Sequence, residues 1–387
     1  MALGTITMAK EARPLVRGPA VGKLACLDGL RGVAVLLVVL FHLGNGDRVG
    51  YHRTVAAVLS PFRYGFTGVH LFLVLSGFCL THALIRRARA RRAPDWPTYM
   101  KGRYRRIGPP YYAAMALYLS FPVAALLIGR PGASRALLSV RQVATHVLFI
   151  HGFWPDTIDS INTAFWSLSL EFQFYLALPL LFVMAGRFGP AAVLATAAVV
   201  SLAWRGTLAA LWPGHAYLIN GFLPGRLTEF VLGMAVAFWF NDPARRVGQG
   251  GVVRFLVAAL ALLGGAVALT ARGRLFATDY VFSLGYTLLL VAVLRAAERP
   301  GRLSALFEWR PLVWVGMISY SLYLTHSLFV ERTIQVYRLV VPRPSLAADA
   351  ALIAMVIAIV LAGGWGFYHL VERHFVRSID APRPARD

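Results

Sequence analysis

The chain has 387 residues, of which 58% are hydrophobic and 14% charged. A soluble globular protein carries about 25% charged residues, so this composition excludes a soluble multidomain enzyme and puts lipid around most side chains. The formal net charge of +22 comes from 39 basic and 17 acidic residues. Its basic residues fall in short stretches between apolar runs, where they orient membrane spans rather than bind nucleic acid.

Residues 1–23 are polar, basic and broken by Pro14 and Pro19; they are expected to form a cytoplasmic tail, as are residues 378–387. No small-residue cleavage pattern accompanies the first apolar run, which is expected to be retained. Runs long enough to cross a hydrocarbon core of about 30 Å recur at 27–45, 65–85, 110–129, 165–185, 191–212, 222–240, 253–271, 277–297, 312–333 and 349–371. They predict an all-α polytopic transmembrane bundle of about ten spans, a single integral membrane domain over 24–377. Leu137–Phe153 is shorter and holds Arg141, Gln142, His146 and His151, which predicts an interfacial or re-entrant segment. The stretch 86–106 carries nine basic residues against Asp95 alone and reads as a cytoplasmic loop. Alternation then places both termini, Arg245 and Arg246, the cluster from Arg295 to Arg310 and the tail from Arg373 on that side of the plasma membrane. Cys26 and Cys79 have neither metal nor redox spacing.

Ionisable groups inside spans cost a few kcal/mol each and mark functional sites. Arg31 and His42 in the first span are eleven residues apart. At 100° per residue they project from one face about 16 Å apart along the axis, which predicts that both face one enclosed chamber. Counting depth from the ends of each span puts His42, His70, Glu171 and His326 in one layer of the outer half. Ser167, Glu171 and Tyr175 fall at i, i+4 spacing on a polar stripe; Arg226 and Glu229 are one turn apart and read equally as a structural ion pair or a substrate site. Ser319, Tyr320 and Tyr323 bring hydroxyls near His326. Three histidines and a glutamate invite a metal reading, but no His-Glu-x-x-His or comparable local pair is present, and no metal is expected.

Seven blocks occur in order: Arg31-x10-His42 within Leu27-Asp-Gly-Leu-Arg-Gly32, Gly68-Val-His-Leu-Phe-Leu-Val-Leu-Ser-Gly77, Arg105-Arg-Ile-Gly-Pro-Pro-Tyr111, Trp166-Ser-Leu-Ser-Leu-Glu-Phe-Gln-Phe-Tyr175, Gly225-Arg-Leu-Thr-Glu-Phe-Val-Leu-Gly233, Ile318-Ser-Tyr-Ser-Leu-Tyr-Leu-Thr-His326 and Val371-Glu372-Arg373. From about Leu27 to Arg377 this pattern resembles the acyltransferase-three family of integral membrane O-acyltransferases. The chain departs from the family at His70, where Asp is usual, at Phe172, where a second acid is usual, and at Thr325, where Trp is usual. It resembles the form without the additional esterase-like domain of some relatives.

The resemblance implies transfer of an acetyl or other acyl group, typically from acyl-CoA, to a hydroxyl of a carbohydrate, a glycolipid or a secondary metabolite such as a macrolide. It implies His42, Glu171 and His326 as catalytic groups, Arg31, Arg105 and Arg106 as donor-binding groups, and Ser167, Tyr175, Arg226, Glu229 and Tyr320 as substrate-binding groups. Such chemistry needs a base for the hydroxyl proton and a cation for a polyanionic donor. His42 would be that base, or carry the acyl group itself, with Glu171 orienting the imidazole or holding the acceptor hydroxyl; Arg31 would bind CoA phosphates. The competing class is a transporter of an anionic or acylated solute, which also uses charges at mid-membrane depth.

Overall fold

The structure, a computed structural model, describes residues 24–44, 50–90, 94–129, 139–244, 251–273, 275–298, 301–341 and 345–376. Both tails (1–23 and 378–387), Arg91, Arg92, Arg245, Arg246, Arg299 and the first residues of the 137–153 segment lie outside them.

The described chain is an all-α membrane bundle. Its principal helices are α1 (Ala25–Gly44), α2 (Gly68–Arg89), α3 (Trp96–Leu127), α4 (Val140–Val147), α5 (Trp166–Phe188), α6 (Pro190–Leu211), α7 (Leu223–Phe240), α8 (Val252–Ala271), α9 (Leu275–Ala296), α10 (Arg310–Met317), α11 (Ser319–Val340) and α12 (Leu346–Leu370), joined by turns and helical segments of seven residues or fewer at Arg53–Leu59, Leu218–Gly221 and Arg302–Phe307. Among the described residues nine helices are long and apolar enough to cross a membrane; α10 and α11, bent by 78° at their junction, make a tenth span if counted together. The ninth expected span falls on this bent pair, which has the form of a broken span or a re-entrant loop, with Ser319 and Tyr320 at the break.

Burial sorts the helices by role. In α1 61% of the apolar window is buried, against 11% in α8, so α1 is a central element and α8 an outer, lipid-facing one. α1 packs against α2, α10 and α11, while α2 packs along α7. Gly77 of α2 and Gly233 of α7 make that last contact possible: a Cβ on Gly77 would run into the Phe230 carbonyl, and one on Gly233 into that of Val74. Small residues at a crossing let two backbones touch, and here they bring His70 on α2 beside Arg226 and Glu229 on α7.

One departure from the sequence reading, and one detail of the expected interfacial or re-entrant segment, matter for the site. The stretch read as a loop over 86–106 is mostly helix. Asp95 accepts the Thr98 N–H at 3.0 Å as an N-cap and Pro97 lies in the first turn, so α3 begins at Trp96 and carries Arg103, Arg105 and Arg106 on its surface. Second, α4 is only eight residues long, and the chain from it to α5 folds into the bundle: His146, His151 and Phe165 are fully buried. The imidazoles of His146 and His151 stack at 3.9 Å. His146 donates through Nε2 to the Thr157 carbonyl at 3.1 Å and accepts the Tyr111 hydroxyl at Nδ1 at 2.6 Å. Both rings are thereby held neutral: burial pushes His146 down to about 3 and His151 down to about 4.

Candidate active site

The ionisable residues of the central helices gather around two adjoining cavities. The larger, about 870 Å³, is lined by Arg31 of α1, Arg86 and Arg87 of α2, and Arg103 and Arg106 of α3. Glu171 and Tyr175 of α5, Tyr320 of α11, and Asp28 and His82 add to its polar surface. The smaller, about 300 Å³, is lined by His42, His70, Trp166, Asn220, Arg226 and Glu229, with Thr163 and Ala164 from the turn before α5. Val69 and Tyr323 line both.

Arg31 and His42 thus project from one side of α1, as their spacing predicts, but into neighbouring compartments instead of one chamber. Arg31 donates to Asp28 at 2.7 Å and to the Cys79 sulfur at 3.3 Å, and 28% of its side chain remains open to the cavity. A guanidinium so held keeps a fixed direction while leaving donors for a phosphate. The cavity's α3 residues Tyr99, Gly102, Arg103 and Arg106 follow helical i, i+3, i+4, i+7 spacing. Arg105 falls off that face, so Arg103 takes the place expected of it.

His42 meets His326. Nδ1 of His326 lies 2.8 Å from the Tyr323 carbonyl and 3.1 Å from that of Leu322. Carbonyls only accept, so this nitrogen bears the proton and Nε2 presents a lone pair. That lone pair faces Nδ1 of His42 at 3.3 Å, and the same Nδ1 lies 3.0 Å from the Val38 carbonyl. Hydrogen-bond bookkeeping therefore assigns the His42 proton to Nδ1, shared between two acceptors. Its Nε2 is left unprotonated, engaged by no hydrogen bond among the described residues. An imidazole in that state, on the wall of a cavity, is a base with its lone pair available.

Glu171 does not join this pair. It accepts the Tyr175 hydroxyl and lines the arginine-bearing cavity with Arg31, Arg103 and Arg106. His42 and His70 line the smaller cavity with Trp166, and His326 meets His42, whereas Glu171, further along α5, lines the larger one, so the four side chains expected in one layer divide between two cavities. Ser167 and Tyr175 follow Glu171 into the larger cavity; Ser167 bonds Tyr323 at 2.7 Å, and Tyr320 donates to the Ile107 carbonyl at 2.8 Å.

His70 belongs to a buried ionic cluster. Arg226 contacts Glu229 at 2.7 Å and Asp279 at 3.0 Å, Arg205 contacts Asp279 at 2.8 Å, and His70 lies 3.1 Å from Glu229 and 3.4 Å from Asp279. The Arg226–Glu229 pair is thus part of a network over α2, α6, α7 and α9, which lines the smaller cavity through His70, Arg226 and Glu229. The sequence reading missed Arg205, Asp279 and Arg103. Arg205 and Asp279 sit near the ends of their apolar runs, where charges ordinarily reach water; the rule on intramembrane ionisable residues, applied to every span, finds both. Among the described residues no group of three or more His, Cys, Asp or Glu side chains is placed to hold a metal ion.

Comparison with known proteins follows the same lines. The family model described as acyltransferase domain matches residues 24–368. An O-acetyltransferase OatA of Staphylococcus aureus (strain NCTC 8325 / PS 47) is 27% identical over 336 residues, covering 80% of this chain and 52% of the relative. A peptidoglycan O-acetyltransferase OatA of Listeria monocytogenes is 26% identical over 339 residues, covering 82% and 51%. A putative O-acetyltransferase of Staphylococcus aureus (strain COL) is 24% identical over 349 residues, covering 80% and 52%. The chain spans about half the length of these relatives. No solved structure matches.

Proposed function

The chain belongs to the acyltransferase family whose model spans residues 24–368, and from its two cavities we propose that it moves an acetyl or other short acyl group from acyl-CoA to a hydroxyl of a carbohydrate, a glycolipid or a secondary metabolite such as a macrolide. The observation that carries this reading is the adjacency of a five-arginine cavity to an imidazole whose Nε2 is free. Arginine forks suit phosphates, and a neutral imidazole suits removal of a hydroxyl proton. The basic ends of α2 and α3 border the arginine cavity, so the charge rule puts that side, with both termini, in the cytoplasm. The acceptor then enters the smaller cavity from outside.

In this mechanism Arg31, Arg103 and Arg106 hold the donor's phosphates, and the thioester reaches the level of His42. The acceptor hydroxyl gives its proton to Nε2 of His42 as its oxygen bonds to the thioester carbon. The carbon–sulfur bond breaks, and the leaving thiolate takes the proton from the imidazolium. His326 keeps the imidazole in the reactive tautomer. The names borne by the relatives, O-acetyltransferase and peptidoglycan O-acetyltransferase, support acetyl as the group and a polysaccharide as the first acceptor to try. Purified protein in lipid nanodiscs, given labelled acetyl-CoA and in turn a peptidoglycan fragment, a glycolipid and a macrolide, should release free CoA thiol with one of them and label that acceptor. A second sample reconstituted in sealed vesicles that takes up label without thiol release would point to the transporter class instead.

A further inference from the structure

Resting on that donor reading, we propose that Val69 and Tyr323 form an acyl-length filter between the two cavities and restrict the enzyme to short acyl groups.

The phosphate-binding arginines and the base lie on opposite sides of one partition. Of the residues lining either cavity, Val69 and Tyr323 are common to both. A route through the shared wall from the arginine side to His42 runs past these two side chains. Neither side chain is loose. Val69 is β-branched, stiff at χ1 and 9% exposed, on the turn of α2 that also carries His70. Tyr323 is 7% exposed, its ring edge-on to Phe72 at 5.9 Å and 5.8 Å from His326. Its hydroxyl lies 2.8 Å from the Ala164 carbonyl and 2.7 Å from Ser167 Oγ. The carbonyl only accepts, so Tyr323 donates to it and Ser167 donates to Tyr323. The hydroxyl's proton and one of its acceptor sites are thus engaged, and the ring ties α11 to the start of α5.

What lies past the partition sets the limit. The smaller cavity holds about 300 Å³, at the low end for ligand pockets, and the acceptor hydroxyl must share it with whatever the thioester carries through. An acetyl adds one methyl beyond the carbonyl. Each further methylene pushes against Val69 and Tyr323 or takes room from the acceptor.

The test uses the full chain in lipid nanodiscs and calorimetric titration with non-transferable thioethers, S-ethyl-, S-butyl- and S-hexyl-CoA, with empty nanodiscs as blank. Wild type should lose about tenfold or more in affinity from S-ethyl to S-hexyl. Val69→Ala, and separately Tyr323→Phe, which keeps the ring and removes its tether, should shrink that ratio to within about threefold. Val69→Ile should steepen it. Equal affinity for all three thioethers in wild type, or an unchanged ratio in both relaxed variants with S-ethyl-CoA still bound, would overturn the filter and leave the donor reading intact. Wild type that binds none of the thioethers would overturn the donor reading and the filter with it.

Discussion

Nε2 of His326 faces Nδ1 of His42 at 3.3 Å, and the protons on both rings are placed by backbone carbonyls behind them. In the proposed mechanism His326 does for His42 what a carboxylate does for the imidazole of a catalytic triad, fixing its tautomer and direction. His326→Leu removes that acceptor, and kcat should fall by about 100-fold with the donor KM unchanged. His326→Gln, whose side-chain oxygen can accept the same proton, should recover part of the loss. Steady-state kinetics with acetyl-CoA varied at saturating acceptor separates the two parameters, and an equal loss in both variants would point to a packing role instead.

Arg31 has a different signature. It lines the larger cavity, away from the free nitrogen of His42, so Arg31→Ala should raise the donor KM by about tenfold and change kcat little. The same titration with S-ethyl-CoA checks this without an acceptor. Arg105→Ala, off the cavity face, should bind the thioether like wild type.

The ionic cluster predicts a stability effect. Asp279 compensates both Arg205 and Arg226, so Asp279→Asn leaves buried cations short of a partner and should cost about 3–5 kcal/mol. Thermal unfolding in detergent, followed by tryptophan fluorescence, measures it. Adding Arg205→Met should return part of the loss, because the partnerless charge is then gone.

The helices were legible in the sequence because hydropathy reports lipid exposure directly, and the boundaries of the expected spans fall close to those of most helices. The one-sided placement of Arg31 and His42 was legible for a similar reason, since α1 is a straight run whose spacing fixes its faces. What failed was depth. Counting from the end of the apolar run puts Glu171 beside His42, but it is Trp166 at the start of α5 that shares the smaller cavity with His42, while Glu171 lines the larger. Arg103 lies among the nine basic residues that make 86–106 read as a cytoplasmic loop, whereas α3 begins at Trp96 and carries it on a helix. Pairings such as His42 with His326, 284 residues apart, depend on how α1 and α11 pack, which no local pattern encodes.

The stacked histidines beyond α4 predict a response to acid. Folding lowers both to about 3 and about 4 by burial, below the ordinary histidine value of about 6.5. The unfolded segment binds more protons between those limits, so the stability of the folded segment is complete above about pH 6.5 and drains away as pH falls toward 4. Hydrogen exchange across residues 145–160, corrected for intrinsic rates, should accelerate over that window in wild type. His146→Asn should flatten the response.

The most direct measurement is single-turnover transfer from labelled acetyl-CoA by wild type and His42→Ala, each shown by S-ethyl-CoA titration to bind the donor site. With the acceptor that supports wild-type thiol release, His42→Ala should bind the thioether normally and transfer at least about 100-fold more slowly. Transfer by His42→Ala at the wild-type rate would remove the imidazole from the chemistry.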